Sequence, residues 1–371
     1  MGSDRSGFPR VAYVKPPDSE FSAGFAARTE LSVKELGSTD EARWNAFVDH
    51  CSEATFFHRM EWRKIIESVF GHRTHYLYAE RAGQIVGVLP LAHVASWLFG
   101  SSLASLPFCV YGGAAVTDPA ARAALHRHAH ELASSLRVGH LELRSREVSE
   151  PGWVHRDLYA TFRRPLLPEP EANFEAIPSK RRNMVRRATK AGLRAVVNDS
   201  IDRFFPLYAD NVHRHGTPPF PKHYFRTLAN AFGRDQEVLT VLDATGRAVA
   251  SAFLFYFRDE IIPYYVGDCV EARNLAANDF MYWEIIRHGA ARGCRTFDWS
   301  RSKKGTGSWE FKKNWGFEPQ PLHYEYLLIS GKHVPEHNPL NPRYRLLIKL
   351  WQRLPLSLAN LIGPHIVKSL G

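Results

Sequence analysis

VLTVLDATGRAVASAFLFYF, residues 238–257, reads as a β-hairpin: two runs rich in β-branched and aromatic residues joined through Ala244-Thr245-Gly246-Arg247. The first half of the chain repeats the design in HYLYAERAGQIVGVLPLAHV, residues 75–94, whose turn is Arg81-Ala82-Gly83-Gln84. In each hairpin an acidic residue, Glu80 or Asp243, stands three positions before the turn glycine. In each, a small residue, Gly87 or Ala250, follows in the second strand. A layout that recurs at such a separation predicts two related halves. The Pro- and Glu-rich stretch LLPEPEANFEAIP, residues 166–178, reads as the junction between them. The expected units are 31–165 and 166–330.

Helices are expected on either side of the hairpins. Residues 40–48 and HRMEWRKIIESVFG, 58–71, precede the first; NDFMYWEIIRHGAARG, 278–293, follows the second, with Asn278 or Asp279 as its cap. It leads into CRTFDWS, a strand. The fold class is therefore α/β (α+β), with mixed sheets flanked by helices. The length of 371 residues fits two ordinary domains. Residues 1–30, rich in Gly, Ser and Pro, are expected to be poorly ordered.

The formal charge of +10 favours phosphorylated or polyanionic partners, or an anionic membrane surface. The four cysteines show no zinc-ligand spacing, so no metal is expected. No signal-peptide core and no run of 18 apolar residues is evident, which makes the cytoplasm the expected location. The segment 331–371 is separate in character. From Asn341 it carries five Lys or Arg and no acid among Leu, Ile, Trp and Val, broken by Pro355 and Pro364. Such amphipathic pieces suit the interface of an anionic membrane, and place the chain as a peripheral protein at the inner membrane; packing on the protein's own surface is the alternative.

Four stretches carry groups suited to chemistry. In SKRRNMVRRATKAGLR, 179–194, Met184, Ala188 and Ala191 form an inward face, while Arg182, Arg186 and Lys190 make a like-charged stripe. Such a stripe costs helix stability unless a phosphate neutralises it. In NVHRHGTPPFPKHYF, 211–225, prolines stiffen a loop carrying His213, His215, Lys222 and Tyr224. Tyr264, Tyr265 and Asp268 end a strand, where ligands gather in open sheets. The fourth stretch, FDWSRSKKGTGSWEFKKNWGF, 297–317, holds Asp298, Arg301, Ser302, Lys303, Glu310, Phe311 and Lys312. Acyl transfer needs a fixed cation for the developing oxyanion and a base for the attacking amine. Lys312 is the candidate cation; Asp298, Glu310 and Asp268 are the candidate bases.

Together these stretches resemble the FemAB family, whose members pair two GNAT-like acyltransferase domains. The resemblance rests on Phe311, Lys312 and Gly316; on Tyr264, Tyr265 and Gly267; on Pro107, Gly112 and Gly113; and on the basic helix after the junction. GTGSWEFKKNWGFEPQPLHYEY, HGTPPF and the C-terminal tail resemble its exosortase-associated, PEP-CTERM-system branch more narrowly. The resemblance implies transfer of an acyl or aminoacyl group to an amine of a peptidoglycan, exopolysaccharide or other cell-envelope precursor, lipid-linked or nucleotide-linked. It implies no tightly bound cofactor, with aminoacyl-tRNA or acyl-CoA as donor. Lys312 would face the transferring carbonyl or a tRNA phosphate, and Tyr264, Tyr265 and the basic helix would border the acceptor. A GNAT pyrophosphate loop would fall at Arg273–Asn278, where its glycines are missing. The competing class is a non-catalytic binding module for phosphorylated glycan or nucleic acid, in which Lys312 would face solvent.

Overall fold

Both hairpins form. The computed structural model describes residues 30–96, 100–331, 333–334 and 342–369, so the segment 1–30 lies outside the described residues but for Glu30. The first half runs β1 (Ser32–Glu35), α1 (Glu41–His50), α2 (Glu61–Ile65, prolonged by a π-turn to Phe70), β2 (Arg73–Arg81), β3 (Gln84–Ser96), β4 (Gly100–Ala104), β5 (Ala115–Val116), α3 (Pro119–Ser135), β6 (His140–Ser145), β7 (Val154–Arg156) and β8 (Tyr159–Pro165). The second runs α4 (Pro170–Glu175), α5 (Ser179–Lys190), β9 (Arg194–Val197), α6 (Ile201–Arg214), α7 (Lys222–Phe232), β10 (Gln236–Leu242), β11 (Ala248–Phe257), β12 (Glu260–Asp268), α8 (Ala272–Leu275), α9 (Ala277–Ala291), β13 (Thr296–Lys303), α10 (Gly307–Asn314), β14 (Pro319–Pro321) and β15 (His323–Leu328). Two further helices, α11 (Pro342–Gln352) and α12 (Leu356–Val367), close the chain.

The hairpins match in more than layout. Each carries a bulge at the same place: the register shifts after Ala79, which faces Gly87, and after Val241, which faces Ala250. The small residue of each second strand therefore marks an extra residue that twists the hairpin. The acids differ in role. Asp243 Oδ1 accepts from the backbone of Thr245 and Arg247 and folds its own turn. Glu80 instead pairs with Lys34 and Arg43.

The sheets run β1-β2-β3-β4-β6-β15-β7 and β14-β8-β13-β12-β11-β10-β9. They do not follow the expected boundaries. β8, from the first half, pairs with β13 and β14; β15, from the second, pairs with β6 and β7. The halves thus exchange strands, a pairing between distant segments that no local pattern reveals. In each sheet one neighbouring pair is parallel, β4 with β6 and β12 with β13. The second of these pairs only at Glu260–Thr296 and Ile261–Phe297 before the strands part.

Exchange makes the joint a core. Phe56 and Trp62 of the first half pack on Phe232 and Phe255 of the second, with Phe56 stacked on Phe255 at 4.4 Å. Each such side chain contributes about 1.5–3 kcal/mol on full burial, which argues for one rigid body rather than a hinge. A buried latch secures β15: Glu325, wholly inaccessible, accepts from the backbone N–H of Ser149 (2.9 Å) and Glu150 (2.6 Å). Glu325→Ala leaves both donors unpaired and is expected to cost about 3 kcal/mol in urea unfolding.

Three local expectations are corrected. The start of α9 is Ala276, in the left-handed region at φ 54°, and neither Asn278 nor Asp279 caps it. Asp279 turns inward to Arg181 and the Trp315 indole. On α5, Met184 and Ala188 do face the core, with Val185 beside them, but Ala191 lies past the helix end. Pro364 lies within α12, whereas Pro355 does separate the two last helices.

Candidate active site

A cleft of about 470 Å3 opens where the exchanged elements meet; Tyr111, Gly112, Gly113 and Arg146 of the first half and Gln320 of the second line it. The two glycines are required by contact. A Cβ on Gly112 would lie 2.7 Å from the Ser105 carbonyl oxygen, and one on Gly113 would lie 2.4 Å from Ser145 Oγ. Both N–H groups bond the Arg144 carbonyl. His58 braces the segment from behind. Its Nδ1 accepts from the Thr55 N–H, so Nε2 bears the proton and donates to the Gly113 carbonyl at 2.8 Å. Burial pulls this imidazole down to about 4, so it is neutral.

The Tyr111 hydroxyl leads from the cleft into the second half. It donates to Thr161 Oγ1 at 2.6 Å, and Thr161 donates to Asp298 Oδ1 at 3.1 Å. Asp298 is wholly buried and also accepts from the Ser300 N–H at 2.8 Å. Arg163 Nη1 stands 3.5 Å from its other oxygen and reaches Glu260 with Nη2. Burial raises the Tyr111 phenol well above its ordinary value and the Asp298 charge adds to it, so the phenol stays protonated. Burial likewise raises the Glu260 carboxyl, against the pull of Arg163.

Lys312 lies beneath this group on α10, with its amine turned to backbone carbonyls. Its Nζ donates to the carbonyls of Trp299 (2.6 Å), Ser300 (3.1 Å) and Arg301 (3.3 Å). These belong to a bulge in β13, where Trp299 and Ser300 have no partner on either neighbouring strand and Ser300 takes φ 59°. Lys312 as a residue is 5% exposed, so it is not the solvent-facing lysine expected of a binding module.

The remaining sequence candidates fall into separate places. Tyr224 and Tyr265 share a buried hydroxyl pair at 2.7 Å, and Tyr264 donates to the Phe108 carbonyl at 2.9 Å. They build the core of the joint rather than a pocket wall. Gly267 has its own steric reason: a Cβ there would sit 2.2 Å from the Tyr208 backbone nitrogen, where α6 crosses β12. Asp268 is bound by Arg214, Asn211 and Asn278 near the start of α9. Glu310 is exposed on the first turn of α10. Arg301 bonds the Tyr324 hydroxyl at 2.8 Å and lies over the Tyr159 ring; Ser302 bonds Ser308. Burial lowers Lys303, and Phe311 packs on Tyr282 and Trp299. His213 turns to the Trp351 carbonyl, His215 is exposed at the end of α6, and Lys222 pairs with Asp202.

Arg182, Arg186 and Lys190 do line a second groove, of about 480 Å3, with Phe174, Trp283 and Arg287. Arg186 lies over the Phe174 ring, which packs edge-on against Trp283. Glu171 and Glu175 form part of its wall. Tyr111, Thr161, Arg163 and Glu260 were missed by sequence reasoning. Thr161 and Arg163 enter through the strand exchange, so their neighbours in space lie 50 to 137 positions away in sequence.

Residues 179–313 match the model of the acetyltransferase (GNAT) domain. Among solved structures the chain is similar to FemX, with TM-score 0.63 at 14% identity, covering 85% of this chain and all of that one. It is similar to a tandem GNAT protein from the clavulanic acid biosynthesis pathway, with TM-score 0.51 at 15% identity over 82% of this chain and all of that one. It is also similar to L-PGS from Bacillus licheniformis, with TM-score 0.50 at 11% identity over 86% of this chain and 99% of that one. No curated protein sequence matches. With two mixed sheets, each flanked by helices, the chain has the tandem GNAT fold, and residues 179–313 of its second half are similar to the GNAT acetyltransferase domain.

Proposed function

We propose that the protein transfers an acyl or aminoacyl group to an amine of a cell-envelope or exopolysaccharide precursor, with the acceptor held in the cleft at the joint. The observation that carries this reading is that Tyr111 lines that cleft while its hydroxyl bonds Thr161 and Asp298 behind it. An attacking ammonium must lose a proton, and the chain offers it a carboxylate two hydrogen bonds away. Arg146 and Gln320 on the walls suit an anionic or polar acceptor. In this reading Lys312 is a positioning residue that shapes the bulge beside Asp298.

Two features favour aminoacyl-tRNA over acyl-CoA as donor. A CoA pyrophosphate would need open N–H groups at the start of α9. There Ala276 carries a Cβ in the left-handed region, and the Asp268 carboxylate bonds the Asn278 side chain. The groove of Arg182, Arg186, Lys190 and Arg287 suits a longer phosphate backbone, with Trp283 as an aromatic contact. The test offers the full chain labelled aminoacyl-tRNA and acetyl-CoA in parallel, with an extract of nucleotide-linked and lipid-linked envelope precursors. Label passing to a precursor from the tRNA supports the reading. Passage from acetyl-CoA alone reverses the donor assignment, and passage from neither overturns the reaction class.

A further inference from the structure

The last two helices are held to the body from one side only. The Trp351 carbonyl meets His213 Nε2 at 3.0 Å, and Gln352 Nε2 donates to the Arg214 carbonyl at 2.7 Å. At the far end the Lys368 carbonyl meets His72 Nε2 at 2.8 Å. Ala359 and Val367 face inward and are buried. These ties reach both halves of the molecule and fix which face of α11 and α12 looks outward.

That outer face is apolar. Leu346, Leu347, Leu350, Leu358, Leu361 and Ile362 are 40–68% exposed. Only four other large apolar side chains are exposed among the described residues, and they stand apart in the sequence: Val148, Val154, Leu167 and Val270. Water therefore meets a concentration of apolar side chains on these two helices, and such concentrations mark interaction sites. Lys349, Arg353 and Lys368 are exposed around it, and residues 341–371 hold five Lys or Arg and no acid.

We propose that α11 and α12 are a membrane-docking surface that inserts these Leu and Ile side chains at the headgroup boundary of an anionic bilayer. The charge selects the occupant. Two copies of this chain pressed together through the same face would bring the exposed Lys349 and Arg353 of each towards one apolar contact, which opposes a dimer. An anionic lipid surface supplies the counter-charge, and a basic helix pair with an exposed apolar side lies in its interface. No helix among the described residues is long and apolar enough to cross a membrane, so the arrangement is interfacial. The inference does not rest on the transfer reaction.

The test is flotation of the full chain with phosphatidylcholine vesicles and with vesicles also containing phosphatidylglycerol, beside the variant Leu347→Glu/Leu361→Glu. Both leucines are more than half exposed, so the variant should melt as the parent does. The parent should float with the anionic vesicles and be released by added salt; the variant should partition about tenfold less. The proposal is overturned if the parent does not float with anionic vesicles or if the variant floats equally. It is also overturned if light scattering finds a parent dimer that the variant dissolves while neither protein floats.

Discussion

Lys312→Met is expected to lower the free energy of unfolding by about 3–5 kcal/mol. The side chain fits the space, but the Trp299 and Ser300 carbonyls lose a donor they cannot replace from a strand. Asp298, wholly buried, loses a nearby positive charge. Urea denaturation measures the loss. Lys312→Gln, which keeps two N–H donors, should recover part of it; a loss below about 1 kcal/mol in the Met variant would show that the bulge holds itself. The sign of the pH effect follows from burial. It lowers Lys312 from 10.5 to about 7, with Asp298 acting in the opposite direction. Between those values the unfolded chain binds more protons, so this group makes stability rise with pH from about 7 towards 10.5. Below about 7 the penalty of holding the buried charge is fully present, and the difference between parent and Met variant should widen as pH rises. Activity lost in any Lys312 variant therefore has to be read beside its melting curve.

Much of the architecture was legible because it is written locally. The strand runs, the turns at Gly83 and Gly246 and the helix before Gly293 each follow from a short window of sequence, and two matching windows announce two halves. The exchange of β8 and β15 was not legible. Tyr159–Pro165 reads as a strand wherever it pairs, and its choice of β13 is decided by contacts far along the chain. The site inherits the same divide. Asp298 and Lys312 stood out as charges in a glycine-flanked segment, but their partners Tyr111, Thr161 and Arg163 come from the other half. A lysine among lysines also gives no sign that it will be buried under three carbonyls. The tyrosines 264 and 265, a strand-end pair that suits a ligand in sequence, have hydroxyl partners that no local window reveals: Tyr265 bonds Tyr224 and Tyr264 the Phe108 carbonyl.

Tyr111→Phe is expected to lower kcat about 100- to 1000-fold while KM stays within about threefold. The variant keeps the ring, its contact with Phe57 and the wall of the cleft, and removes only the hydroxyl. Thr161 can still donate to Asp298, so no buried carboxylate is stranded and the cost in stability is about 1 kcal/mol. What is lost is the route. In the parent, Tyr111 accepts the ammonium proton as its own passes to Asp298, either directly across 3.1 Å or through Thr161, whose proton then passes on. Without the hydroxyl the amine faces an apolar ring edge, and Asp298 lies behind it with no exposed atom. Thr161→Val leaves the Tyr111 hydroxyl its direct bond to Asp298 Oδ2, 3.1 Å, so the proton path persists and kcat should fall less than about tenfold, with a larger loss of stability because Asp298 loses the Thr161 donor. A steady-state assay with the identified donor and acceptor decides between relay and scaffold. A scaffold role predicts parallel falls in kcat and thermal stability across the two variants, whereas the relay predicts the larger kcat loss in Tyr111→Phe, the variant with the smaller loss of stability. Full turnover in the Tyr111→Phe variant would remove Asp298 from the proton path and leave it, with Lys312, as part of the packing that shapes the bulge.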